Sequence, residues 1–167
     1  MNWRAGTSSS SYPRYRGALR PAFDREYQGL LSFLADAGLP TSVPVGVEVS
    51  YVNVVSDSID GSLDLGAILR SQRPSEGPFG APRTTRLQQQ WKWTGHDEAA
   101  SILTMDAAQP AGGESTIAMN LTARSALGMN AGIDDVLRSL DLCHDEVVSA
   151  FVELTEPDRH LEWRRTS

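Results

Sequence analysis

Four stretches of the chain alternate apolar and polar residues, and two others repeat apolar residues at steps of three and four. The first repeat, Leu19, Phe23, Tyr27, Leu30, Leu31 and Leu34, draws one apolar stripe on a helix. Pro21 suits its first turn, Asp24 and Glu26 sit where the helix dipole favours acids, and Gly38 followed by Pro40 stops it. The residues that follow, Val45 to Val55, are rich in valine and alternate. Val47, Val49 and Tyr51 share one face and Glu48 and Ser50 the other, which predicts a strand.

Three more strands are predicted in the second half. In Arg86–Thr94, Leu87, Gln89, Trp91 and Trp93 face one way, while Arg86, Gln88, Gln90, Lys92 and Thr94 face the other. In Ala100–Ala108 the apolar set is Leu103, Met105 and Ala107; in Ser115–Arg124 it is Ile117, Met119, Leu121 and Ala123. Gly95-His96-Asp97 and Pro110-Ala-Gly-Gly113 read as the turns between them, so the three form an antiparallel meander. A long closing helix carries Ile133, Val136, Leu137, Leu140, Val147, Phe151 and Leu154 as its stripe, with Cys143 and His144 on or beside it and Pro157 ending it near Thr155. Leu63 to Leu69 is expected to be a short helix. Residues 71–85, crowded with Pro and Gly, are expected to be a mobile surface loop.

Strand runs beside segregated helices predict an α+β fold: an antiparallel sheet of about four strands packed against an N-terminal helix and a long C-terminal helix. The length of 167 residues and the 40% apolar content suit one domain with one core. Residues 1–20 read as a basic arm and linker, and 21–167 as the domain.

Charge sharpens this outline. The net charge is -6, which predicts a soluble chain without a global attraction for nucleic acid or anionic membranes. It is unevenly spread: the first 20 residues hold Arg4, Arg14, Arg16 and Arg20 and no acid, whereas residues 133–167 hold nine acids against four arginines. Head and tail are therefore expected to attract, within one chain or between copies. Rings interleave with guanidiniums in the arm (Trp3, Tyr12 and Tyr15 among the arginines), a composition that can stack on bases, but the net charge makes nucleic acid the weaker expectation. Cys143 is the only cysteine, which excludes an intrachain disulfide or a cysteine zinc site and fits a reducing cytoplasm. The chain has no run long and apolar enough to span a membrane. Lys92 is its only lysine, an arginine bias expected of a GC-rich bacterial genome.

No motif for covalent catalysis, for phosphate or for a dinucleotide is present, and no cofactor is expected. His144 with Asp145 and Glu146 does not fit the spacing of a zinc-protease helix, and predicts instead a side chain that ties the helix to the sheet. The acids of Asp57–Asp64 suggest calcium, but Ala67 falls where the bidentate glutamate must stand. Gln90-Trp91-Lys92 with Asp106 outlines one arm of a metal-dependent nuclease. Trp91 and Trp93 share a face at period two, as core or as the wall of a ligand pocket.

Asn2-Trp3-Arg4, Tyr12-Pro13-Arg14-Tyr15, the helix ending in Leu34 to Pro40, and Val47-Glu-Val-Ser-Tyr-Val-Asn53 follow in order. Leu140-Asp-Leu-Cys-His144-Asp145, Phe151, Leu154-Thr155 and Trp163 complete the series. This order resembles an uncharacterised, sporadically distributed bacterial protein family, of which the chain looks like the C-terminal two-thirds; the likeness is thin through residues 56–110. The resemblance carries no activity and no catalytic residues. It implies a sheet lacking N-terminal strands, with an unpaired edge that needs a partner.

Together these features predict a non-catalytic interaction module that binds a protein partner or a second copy of itself. Tyr51, Trp91, Trp93 and His144 are its expected ligand or partner face. The alternative is a small metal-dependent hydrolase or nuclease using Asp106, Lys92 or His144.

Overall fold

The computed structural model describes residues 14–56, 69, 85–94, 100–109 and 116–157. The chain enters through a π turn at Tyr15–Leu19 and continues as helix α1 (Arg20–Asp36). Strands β1 (Gly46–Ser56), β2 (Thr85–Thr94), β3 (Ala100–Gln109) and β4 (Thr116–Ala126) follow, then helix α2 (Ile133–Leu154). All neighbouring strands are antiparallel, in the order β1-β4-β3-β2. The α+β architecture and its four strands are as the sequence patterning predicts.

The register turns each strand's alternation into rows across the sheet. On one face, Tyr51, Leu121, Met105 and Gln89 form one row and Val49, Ala123, Leu103 and Trp91 the next. Burial rises towards the two middle strands: Met105, Ala107, Ile117, Met119, Leu121 and Ala123 are almost fully buried, and their counterparts on β1 and β2 half-buried. The opposite face carries the ion pairs Glu48–Arg124 and Arg86–Asp106, with the exposed Val52 and Val54 of β1 beside them.

Helix α2 closes the apolar face, lying mainly over β1 and β4. Asp135 starts it by accepting a hydrogen bond from the Gly132 N–H at 2.9 Å, and two acids stand in its first turn. Val136, Leu137, Leu140, Cys143, Val147 and Ala150 are its buried stripe. Helix α1 carries Pro21 in its first turn as the sequence implies, but it starts at Arg20, so Asp24 and Glu26 fall beyond the first turn expected to hold them. It ends in a Schellman motif, with Leu39 N–H on the Leu34 carbonyl and Gly38 N–H on the Ala35 carbonyl, and Gly38 at φ 65°.

The two helices cover unequally. Helix α1 contains no buried residue, and Phe33 is 63% exposed. Its Phe23 packs against the cluster of Val136, Leu137 and Leu140, and Phe23 stacks with Tyr27. Thus α1 flanks the first half of α2.

One expectation needs correction: Leu69, placed in a short helix, forms an isolated antiparallel bridge with Thr155 and is 1% exposed in the core. Hydrophobic burial beside the end of α2 decided its backbone partner. The remainder of that helix, the two turns, residues 71–84 of the loop and the calcium-like segment lie outside the described residues.

Candidate functional site

His144 stands at the junction of three elements. Its Nδ1 shares a hydrogen bond with the Tyr51 hydroxyl of β1 at 3.0 Å. The Tyr15 ring, from the π turn, stacks on its imidazole with centroids 3.8 Å apart and planes 9° from parallel. Two clips surround this stack. Asp141 accepts from the Tyr15 hydroxyl at 3.0 Å and from Arg20 Nε at 2.8 Å, and Asp145 pairs with Arg16 at 3.0 Å. Asp141 and Asp145 are one turn apart on α2, so one helix face presents both acids to the incoming basic segment. The attraction between basic head and acidic tail therefore operates within one chain at these two pairs.

Burial dominates the titration of this junction. Desolvation lowers the His144 pKa from its usual value, Asp145 opposes the shift and Arg16 adds to it. Tyr15 is raised above the ordinary phenol range, by burial first and by its bond to Asp141 second. Burial pushes the Cys143 thiol up to about 12, with Glu146 adding, which favours the neutral thiol in the core.

Beyond His144, an apolar groove of about 170 Å³ runs between α2 and β1. It is lined by Tyr51 and Asn53 from the strand and by Val147, Val148, Phe151 and Val152 from the helix. Among the described residues no strand lies on the far side of β1. On the other face of β1, Val52 is 68% and Val54 66% exposed. The charge on Glu48 is already engaged by Arg124 of β4.

The structure brings only part of the expected site together. Tyr51 and His144 meet; Trp91 and Trp93 stand on β2 at the opposite edge of the sheet, half-buried against the main core. Trp93 Nε1 and Gln89 Oε1 are buried there without a hydrogen-bond partner among the described residues. Of the basic arm, Arg4 lies outside the described residues, Arg14 is exposed before the π turn, Arg16 and Arg20 hold α2, and Arg20 opens α1.

The residues of the nuclease alternative are separated. Asp106 is opposite Gln88 and held by Arg86, which lowers its pKa through their hydrogen bonds. Lys92 is four residues farther along β2 from Gln88, roughly 13 Å, and His144 lies behind the sheet. Among the described residues no three His, Cys, Asp or Glu side chains gather as metal ligands, and no helix is long and apolar enough to cross a membrane.

Tyr15, Asp141, Val52 and Val54 were not among the expected site residues. The two valines had a signal: alternation puts them on the face of Glu48 and Ser50, where a polar residue is the norm. For Tyr15 and Asp141 the signal was only the general attraction of basic head and acidic tail; their particular pairing had none, because 126 residues separate them. No protein-family model, no curated protein and no solved structure matches this chain.

Proposed function

We propose that this domain is a non-catalytic protein-interaction module of the bacterial cytoplasm, which takes an extended, uncharged segment along the outer edge of β1. The observation that carries the reading is the character of that edge. Eleven residues of strand, Gly46–Ser56, hold one charge, and that charge is already paired to Arg124. Exposed valines stand on one side of the edge and the apolar groove on the other. Among the described residues nothing pairs with the outer side of β1; such an edge offers N–H and C=O groups, so an added strand gains main-chain hydrogen bonds while its alternate side chains enter the groove. Proteins ordinarily blunt such an edge with lysine, proline or a bulge; β1 has neither lysine nor proline. Cys143 as sole, buried thiol is in keeping with a reducing compartment.

A fluorescein-labelled peptide of residues 46–56, kept soluble by terminal lysines, tests the reading by anisotropy. Saturable binding to the wild-type chain, weakened more than ~10-fold in the Val52→Lys/Val54→Lys variant, is expected. Absence of saturable binding to the wild type overturns it.

A further inference from the structure

Resting on that reading, we infer that the segment received by β1 is the β1 strand of a second copy, paired antiparallel about a two-fold axis at Asn53. Three observations select this occupant. The first is charge. From Ser50 to Ser56 the strand reads Ser-Tyr-Val-Asn-Val-Val-Ser, with no ionisable group but the phenol of Tyr51. Such an edge has no charge for a charged partner to complement, and an identical strand meets it without opposing like charges.

The second is register. Residues directly opposite in an antiparallel pair share a face. A two-fold axis at Asn53 sets Val52 of each copy opposite Val54 of the other, so the two exposed valines of β1 cover one another. Moving the axis to Tyr51 instead sets Val52 against Ser50 and Val54 against Glu48.

The third is clearance. Phe23 of α1 packs on the first half of α2, on the same cluster as Val47 and Val49. The groove lies over the second half, beside Tyr51 and Asn53. Pairing about Asn53 uses residues 50–56 and leaves the half flanked by α1 outside the junction. A two-fold axis perpendicular to the sheet puts both α2 helices on the same side. The two grooves then face each other across the junction, and each gains the other copy's Asn53 as a wall. The half-exposed Val148 and Val152 of each α2 face this shared space. The site is thus completed by the second copy.

Sedimentation and light scattering of the full chain from low micromolar to near-millimolar concentration test the inference. The expected mass rises from 18.2 kDa towards twice that value, and stays at the monomer value in Val52→Lys/Val54→Lys. The register has its own test. Asn53→Cys places two thiols opposite each other, within disulfide reach at roughly 4.5–5.5 Å between Cα atoms. Ser50→Cys places its pair roughly 20 Å apart, six residues along the strand. Under mild oxidant Asn53→Cys is expected to cross-link into a dimer and Ser50→Cys to stay monomeric, with melts of the reduced proteins verifying that both fold.

Equal cross-linking of the two, or a dimer that survives both lysines, overturns the inference. A chain that stays monomeric while binding the labelled 46–56 peptide overturns the second copy and leaves the edge reading standing. A chain that neither dimerises nor binds the peptide overturns both.

Discussion

The two edges of the sheet occupy equivalent positions and are finished in opposite ways. Edge strand β2 presents Arg86, Gln88, Gln90 and Lys92 on its open face, and Arg86 is locked to Asp106 of β3. A lysine and an arginine on an edge strand discourage another strand from docking, because their charges lose water on pairing. Edge strand β1 shows Val52 and Val54 at the depth of Gln88 and Arg86, and its one glutamate pairs on the open face with Arg124 of β4. Behind β2 the tryptophans pack on the core; behind β1 a groove stays open beside α2. One sheet therefore has a charged edge and a nearly uncharged one, and the chain's only lysine stands on the charged side.

The contrast can be broken at several levels. The largest effect is expected at the centre, which supports both edges alike. Leu121 is fully buried between Tyr51 and Met105, so Leu121→Ala should cost about 3 kcal/mol in denaturant unfolding and raise amide exchange in β1 and β2 together.

His144→Ala should act on one edge only. It removes a hydrogen bond to Tyr51 and a ring stack with Tyr15, a loss of about 2 kcal/mol. Exchange should quicken in β1 and the π turn, and stay unchanged in β2. A loss spread evenly over both edges would contradict the junction's local role. Asp141→Asn weakens the clip on Tyr15 and Arg20, with an expected cost of about 1 kcal/mol and the same one-sided pattern.

A smaller effect follows from pH. Burial lowers the folded-state pKa of His144 below its unfolded value of 6.5, so the unfolded chain binds the proton more readily. The stability tied to neutral His144 is complete above that value. It declines as pH falls through 6.5 and levels off below the folded pKa. Thermal melts from pH 8 to pH 5 should show this decline in wild type and lose it in His144→Gln. The difference between the two curves cancels the contributions of carboxylates such as Glu146, whose pKa burial raises.

The smallest change in stability, and a direct exchange of edge character, is expected of Arg86→Val/Lys92→Val. Both positions are exposed, and surface substitutions seldom shift stability by more than ~0.5 kcal/mol. Yet the variant should carry two receptive edges and form species heavier than a dimer in light scattering; a mass distribution like the wild type's would show that charge is not what guards β2. Added salt should strengthen the pairing at β1, because each copy carries a net charge of -6.

The strands were legible because alternation is a local signal. A strand with one buried face must alternate, and the apolar sets Leu103–Ala107 and Ile117–Ala123 are the ones buried. Both C-terminal ends were legible for the same reason, since Gly38 and Pro157 act on backbone groups within a few residues. The candidate site was legible only in fragments. His144 and Tyr51 stand out in the sequence, but their meeting does not, and Trp91 and Trp93 belong to the far edge. The amphipathic stripe of α1 indicated which side of the helix is apolar and said nothing about how much of the sheet α2 leaves it.

What the sequence determined by itself was the four strands and the two long helices, the face each strand turns inward and the absence of charge along residues 50–56. Tertiary structure alone decided the order β1-β4-β3-β2, and with it which strands became edges, which helix took the sheet, and that Tyr15 and Asp141 close around His144. Pairing partners and neighbours are chosen by the packing of all elements at once, and no stretch of chain records locally which other stretch will cover it.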